Sequence, residues 1–445
     1  MKRKFQFSLL KCFWGLIIIY SCSNKDEIID PVAPVFDLIL RSDFSNESNA
    51  NVMTNGIYAI WWDKNFEHDH TAEADFTFSK LNAARDRALN ELHMFDPPNV
   101  AAGFYVNIYI HHDTDIFNEY NWGNGVGTNA YGLPYWSTGH GGTTVESNIY
   151  HESFHLFQYN QNSPGFIYSG DSMWYTETTA QWFAFKNQPF LNDAIVEAKA
   201  LIYNPQIALW HSFDNAAPED PITWLYEVRQ YAMHGYLFYL TEIEGVASEY
   251  ITNGFSAGVS QTPQEYLFQV IGAENLRTYF ANWAAANTSN LSYLTSEQVE
   301  RADQEVEYLI QAGITSDEYK NEFILDVNAE NLNVTLSPPE NLKPRGWSYN
   351  VIKLSNTSSN SFSLTFESEP TGSDGATAFF EVRIVTKDAS ANYNTFDVAL
   401  INGQSGQQNV VLEDSVVECY LVVVSVPDFF TGNQTYNYTF TLSEN

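Results

Sequence analysis

The chain has 445 residues, 44% hydrophobic and 16% aromatic, enough for a sizeable core and longer than one core usually organises. Its 54 acidic against 21 basic residues give a formal charge of −33, a field that repels nucleic acid and anionic surfaces and so excludes nucleic-acid binding. Three cysteines, Cys12, Cys22 and Cys419, exclude a disulfide framework.

At the N terminus, Lys2, Arg3, Lys4 and Lys11 precede the apolar run 12–20, the pattern of a secretory signal and too short for a comfortable membrane span. Ile19-Tyr-Ser-Cys22 resembles a bacterial lipobox, which implies cleavage before Cys22 and lipidation of that cysteine. Ser23-Asn-Lys-Asp-Glu27 is similar to the acidic export tag of Bacteroidetes surface lipoproteins. Together these resemblances imply a signal peptide over 1–21 and a lipidated tether over 22–34. They further imply an outer-membrane lipoprotein exposed at the cell surface, touching the membrane only through its lipid. Without the four leader basics, 17 basic residues face 54 acids, about −37. Cys419, in the strand-like run 416–425, then reads as a buried small hydrophobe.

Next come the strand-like Ile57-Tyr-Ala-Ile-Trp-Trp62, a helical stretch over 72–92, and a second strand, Phe104-Tyr-Val-Asn-Ile-Tyr-Ile110. The acids Asp113, Asp115 and Glu119 are of the type that holds calcium, but no spacing there matches a calcium loop. The glycine- and aromatic-rich segments 121–128 and 131–142 read as long loops bordering a substrate cleft.

His151-Glu-Ser-Phe-His155 follows, with apolar Ile149, Phe154, Leu156, Phe157 and Tyr159 around it, as a buried helix requires. Histidines four apart share one helix face and can ligate one zinc ion, with Glu152 facing a metal-bound water as general base. Zinc brings that water's pKa from 15.7 to about 7. A catalytic zinc needs a third protein ligand. Gln161 and Gln158 stand where one familiar pattern wants histidine and glycine, so that solution is excluded. The run 172–185 is apolar and aromatic with one acid, Glu177, whose burial demands a partner.

With Glu177 lying 22 residues beyond His155, in the context Trp174-x-x-Glu177-x-x-Ala180, the motif resembles the gluzincin group of zinc metallopeptidases. The resemblance implies zinc on His151, His155 and Glu177, with Tyr231 as first candidate and His234 as second, from the run 229–240, for stabilising the oxyanion. It implies hydrolysis of peptide bonds in extracellular proteins or glycoproteins. Where many gluzincins carry an acid one turn after the third ligand this chain has Gln181, and either Gln181 or Gln158 offers an amide oxygen instead. The upstream strands and helix also resemble a zincin layout, similar to uncharacterised bacterial and fungal proteins that join such a domain to a β-sandwich.

Further helices are expected over 263–286 and 296–312. From residue 331 the runs 333–336, 361–366, 379–385, 409–412 and 436–442 alternate at period two between Gly, Ser and Asn turns. The expected fold is therefore an α+β zincin-like catalytic domain over 35–330, mainly helical around the metal site, followed by an all-β sandwich over 331–445. The alternative function is a surface lipoprotein that binds glycan or protein through aromatic platforms or a non-catalytic zincin-like fold.

Overall fold

The computed structural model describes residues 37–42, 49–66, 69–111, 124–139, 141–160, 162–187, 199–212, 229–311, 322–355 and 361–444. The signal peptide, Cys22 with its tether, and the acids Asp113, Asp115 and Glu119 lie outside the described residues.

Strands β1 (Ala50–Asn55), β2 (Tyr58–Asp63), β3 (Val106–His111), β4 (Gly125–Thr128) and β5 (Pro134–Gly139) form the first sheet, in the order β1-β2-β3-β5-β4. β2, β3 and β5 run parallel, while β1 and β4 are antiparallel to their neighbours at the two edges. Every residue of β2 and β3 is buried, which explains why the two runs are almost continuously apolar instead of alternating. Gly56, at φ +57°, makes the tight turn between β1 and β2.

Three helices position the site. α1 (Thr71–Asn90) packs against α2 (Glu146–Gln158), which in turn packs against α3 (Met173–Asn187). β5 leads into α2 through a short turn that α1 holds: Thr77 Oγ1 donates to the Thr143 carbonyl at 3.1 Å, and the Thr143 hydroxyl donates to Glu73. At the start of α2, Glu146 sits near the positive end of the helix dipole and pairs with Lys80 of α1. Almost the whole of α2 is buried, as expected for a helix between a sheet and two helices.

The expected helix over 263–286 is two helices, α4 (Pro263–Ile271) and α5 (Ala273–Thr288), broken at Gly272 with φ +95°. Thr262 caps α4 and Pro263 occupies its first turn, so the start was legible. The break depends on a glycine adopting a conformation that L residues rarely reach. α6 spans Ser296–Gln311.

The C-terminal part contains a five-stranded sheet, β11-β10-β13-β8-β6, and a four-stranded sheet, β12-β9-β14-β7. Their ranges are β6 Leu325–Val327, β7 Thr335–Leu336, β8 Ser348–Leu354, β9 Ser361–Ser368, β10 Phe380–Asp388, β11 Tyr393–Val398, β12 Ser405–Val411, β13 Val416–Ser425 and β14 Tyr438–Glu444. Leu364, Phe366, Phe380, Leu421, Phe440 and their neighbours from both sheets share one buried cluster. The first strand begins at Leu325, a few residues before the change of composition.

That change marks a shift in secondary structure and leaves the packing continuous. Trp347, Tyr349, Val422 and Val424 of the β-rich part lie in the same core cluster as Trp174, Tyr236, Phe280 and Trp283. Hydrogen bonds stitch the seam: Asn287 Nδ2 to Tyr349 Oη at 3.1 Å, Trp210 Nε1 to the Gly432 carbonyl at 2.8 Å, and Arg277 Nε to the Val426 carbonyl at 3.1 Å. Residues 37–445 form one compact unit. Among the described residues no helix is long and apolar enough to cross a membrane.

Candidate metal centre

α2 and α3 bring His151, His155 and Glu177 together, all buried. His155 Nε2 lies 3.1 Å from His151 Nε2, and Glu177 Oε2 lies 3.2 Å from the first histidine's Nε2 and 3.5 Å from the second's. Three ligand atoms about 2.0–2.2 Å from a tetrahedral ion stand roughly 3.3–3.6 Å apart, so the observed spacing suits one zinc-sized ion. Two nitrogens and one carboxylate oxygen are also a donor set that zinc accepts. The described residues thus hold a buried His151, His155 and Glu177 group able to bind a metal ion.

The outer nitrogens of both imidazoles are held by glutamines. His151 Nδ1 meets Gln181 Oε1 at 2.8 Å, and His155 Nδ1 meets Gln158 Oε1 at 2.7 Å. The Gln158 amide cannot be reversed without loss, because its nitrogen donates to the Thr176 carbonyl at 3.0 Å and to Thr179 Oγ1 at 2.7 Å. An amide oxygen accepts, so each Nδ1 donates and the two Nε2 atoms are the ones that face inward. The amide oxygens of Gln181 and Gln158 therefore fix the orientation of the two rings.

Burial pushes the His155 imidazole down, but the Glu177 carboxylate beside it outweighs this and raises it to about 9. Burial likewise pushes Glu177 up, and His155 and His151 overcome it, holding the carboxyl well below its usual range. Glu152 is raised, chiefly by burial and against the pull of the two histidines.

The group lies in a cleft of about 1040 Å³. Gly125, Val126, Gly139 and Gly142 line it, so both glycine-rich segments border the cleft as expected. His111, Glu152, Tyr168 and Tyr231 also line it, and the lining contains no lysine or arginine among the described residues. Val145, Tyr159, Ile167 and Tyr168 form a rim that is 38–51% exposed.

The two candidates for oxyanion stabilisation separate. Tyr231 lines the cleft, with its ring 5.9 Å from that of His151. His234 is buried away from the lining, against Phe185 at 5.2 Å, with Nδ1 on the Tyr231 carbonyl at 2.9 Å. Burial lowers its imidazole to about 4.

Two cleft residues had no signal in the spacing. Tyr168 lies beside Glu177, and burial together with the Glu177 charge raises its phenol far above the usual range. Asn124, inside the glycine-rich segment, donates to Glu152 Oε1 at 2.8 Å. Only the loop's glycines and aromatics marked that region as cleft-bordering; no periodicity ties Asn124 to Glu152.

No family model matches the chain, and no curated protein matches it. Among solved structures it is similar to a family GH115 4-O-methyl-α-glucuronidase with specificity for decorated arabinogalactans, at 10% identity and a TM-score of 0.15. That match covers 68% of this chain, which spans 42% of the glucuronidase. A superposition this poor carries no argument about fold or chemistry. The gluzincin resemblance is accordingly corrected: no family model and no curated protein supports it. The His-His-Glu group stands on its own geometry.

Proposed function

We propose that this protein is a zinc-dependent hydrolase of peptide bonds in extracellular proteins or glycoproteins. The observation that carries the reading is the convergence of His151 Nε2, His155 Nε2 and Glu177 Oε2 in an open cleft that Glu152, from the same helix, also lines. A bound zinc ion would supply Lewis acidity toward a carbonyl and make a coordinated water more acidic. Glu152, which lines the cleft, accepts the proton of the attacking water and returns it to the leaving nitrogen. Tyr231 supplies a hydroxyl from the cleft wall to the oxygen that gains charge.

Among the described residues no lysine or arginine lines the cleft, so nothing there offers the bidentate grip that phosphates and free carboxylates favour, and a neutral backbone suits it better. The extracellular setting and surface lipidation at Cys22 are part of the proposal and are supported by the leader sequence alone. A second reading, a surface binder of glycans, is favoured by the partly exposed Tyr159 and Tyr168 on the rim, since exposed aromatic rings are a common means of gripping sugars.

Glu152→Gln tests the choice on a peptide pool whose products are read by mass spectrometry. The hydrolase reading expects zinc retained and cleavage abolished. Unchanged cleavage would remove Glu152 from the mechanism, and binding of a glycan array by both proteins without any cleavage would favour the second reading.

A further inference from the structure

Asn124 stands just before β4, and its three polar contacts leave its amide only one orientation. Its Oδ1 accepts from Trp136 Nε1 at 2.9 Å, and that indole is fully buried and can only donate. The amide nitrogen therefore faces α2, where it donates to Glu152 Oε1 at 2.8 Å and to Asn148 Oδ1 at 2.5 Å. Asn148 is oriented in turn, because its nitrogen donates to the Gly142 carbonyl at 2.8 Å. Asn148 and Glu152 are one helical turn apart on α2, so a single side chain of the edge-strand segment grips both.

The consequence falls on Glu152. One carboxylate oxygen is occupied by a fixed donor, while Oε2 is buried and has no partner among the described residues. A carboxylate free to rotate would exchange its two oxygens and its distance from the cleft. Here the donor determines which oxygen is left over and where it sits.

We propose that Asn124 is a positioning residue for Glu152, holding Oε1 and so fixing the orientation of the carboxylate for proton transfer; this rests on the hydrolase reading above. Its role is separable from a structural one because its two ends do different things. The oxygen end satisfies a buried tryptophan, and the nitrogen end fixes the carboxylate. Asn124→Asp keeps an acceptor for Trp136 and removes both donors, whereas Asn124→Ala removes everything.

The test combines crystal structures of wild type, N124D and N124A with kcat, KM and zinc content on a peptide cleaved by the wild type. The expected result is a displaced Glu152 carboxylate in both variants, with kcat lower by about tenfold or more and KM and zinc unchanged. A positioned base is worth about 100- to 10,000-fold, and losing its alignment forfeits part of that. If N124D keeps both the Glu152 position and the wild-type kcat, Asn124 serves only Trp136 and the proposal is overturned. Asn124→Ser, smaller and without an amide donor, takes over should N124D not fold, with the same two outcomes. Failure of the hydrolase reading is told apart by E152Q: if that variant cleaves as fast as wild type, the reading falls, while the Glu152 position in N124D still decides the contact.

Discussion

His151 and Gln181 meet across 2.8 Å between Nδ1 and Oε1, and this contact decides which imidazole nitrogen faces the cleft. Gln181 lies one helical turn beyond Glu177 on α3, so a single helix supplies one ligand and the partner of another. Gln181→Leu should lower zinc affinity about 10- to 100-fold, and Gln181→Glu should restore it. Competition with a chromophoric chelator reads both. Equal affinity in wild type and Q181L would deny the amide any part in setting the tautomer.

Tyr231 and Tyr168 both line the cleft, yet they should respond differently to loss of a hydroxyl. Tyr231→Phe should reduce kcat about 100- to 1000-fold with zinc content unchanged, the cost of one oxyanion donor. Tyr168→Phe removes a hydroxyl beside Glu177 and should show first as weaker zinc retention on dialysis. An unchanged kcat in Y231F would exclude that hydroxyl from the reaction.

Acid stability should depend on His211. Burial, with Arg345 and Arg229 alongside, lowers its imidazole from 6.5 to about 3. Above about pH 6.5 both folded and unfolded chains hold it neutral, so it adds no pH dependence. As pH falls from 6.5 toward 3, only the unfolded chain takes up the proton, and stability drops by about 1.4 kcal/mol per pH unit. By pH 4.5 the loss is about 2–3 kcal/mol, which His211→Gln should abolish. Urea unfolding at pH 7 and pH 4.5 measures it, and an equal loss in wild type and variant would contradict the assignment.

Trp347 sits 1% exposed at the seam between the helical and β-rich parts, with its indole nitrogen on the Pro427 carbonyl at 3.0 Å. Trp347→Ala should cost about 3–5 kcal/mol and lower one unfolding transition for the whole chain. Two resolved transitions, with only one displaced, would show that the shared core does not couple the two parts.

Much of the site was legible because helix periodicity is local. Histidines at 151 and 155 and an acid in an otherwise apolar helix are patterns within single elements. Asn124 and Tyr168 were not legible, because their contacts with Glu152 and Glu177 are made between elements and depend on how loops return to the cleft. The resemblance puts Tyr231 ahead of His234, and the structure parts them in the same order: Tyr231 lines the cleft, while His234, three residues on, packs on Phe185. β8 and β11 escaped notice for a similar reason. β8 is buried on nearly every residue and lacks alternation, while β11 is an edge strand exposed on most of its length.

The most direct test of the metal centre is zinc content by inductively coupled plasma mass spectrometry on the chain from residue 37, for wild type and Glu177→Ala in parallel. The geometry of His151, His155 and Glu177 predicts one zinc per wild-type chain and its loss, or greatly weakened retention, in the variant. A wild-type protein that takes up no zinc even after reconstitution would contradict the account and leave the two histidines as core residues.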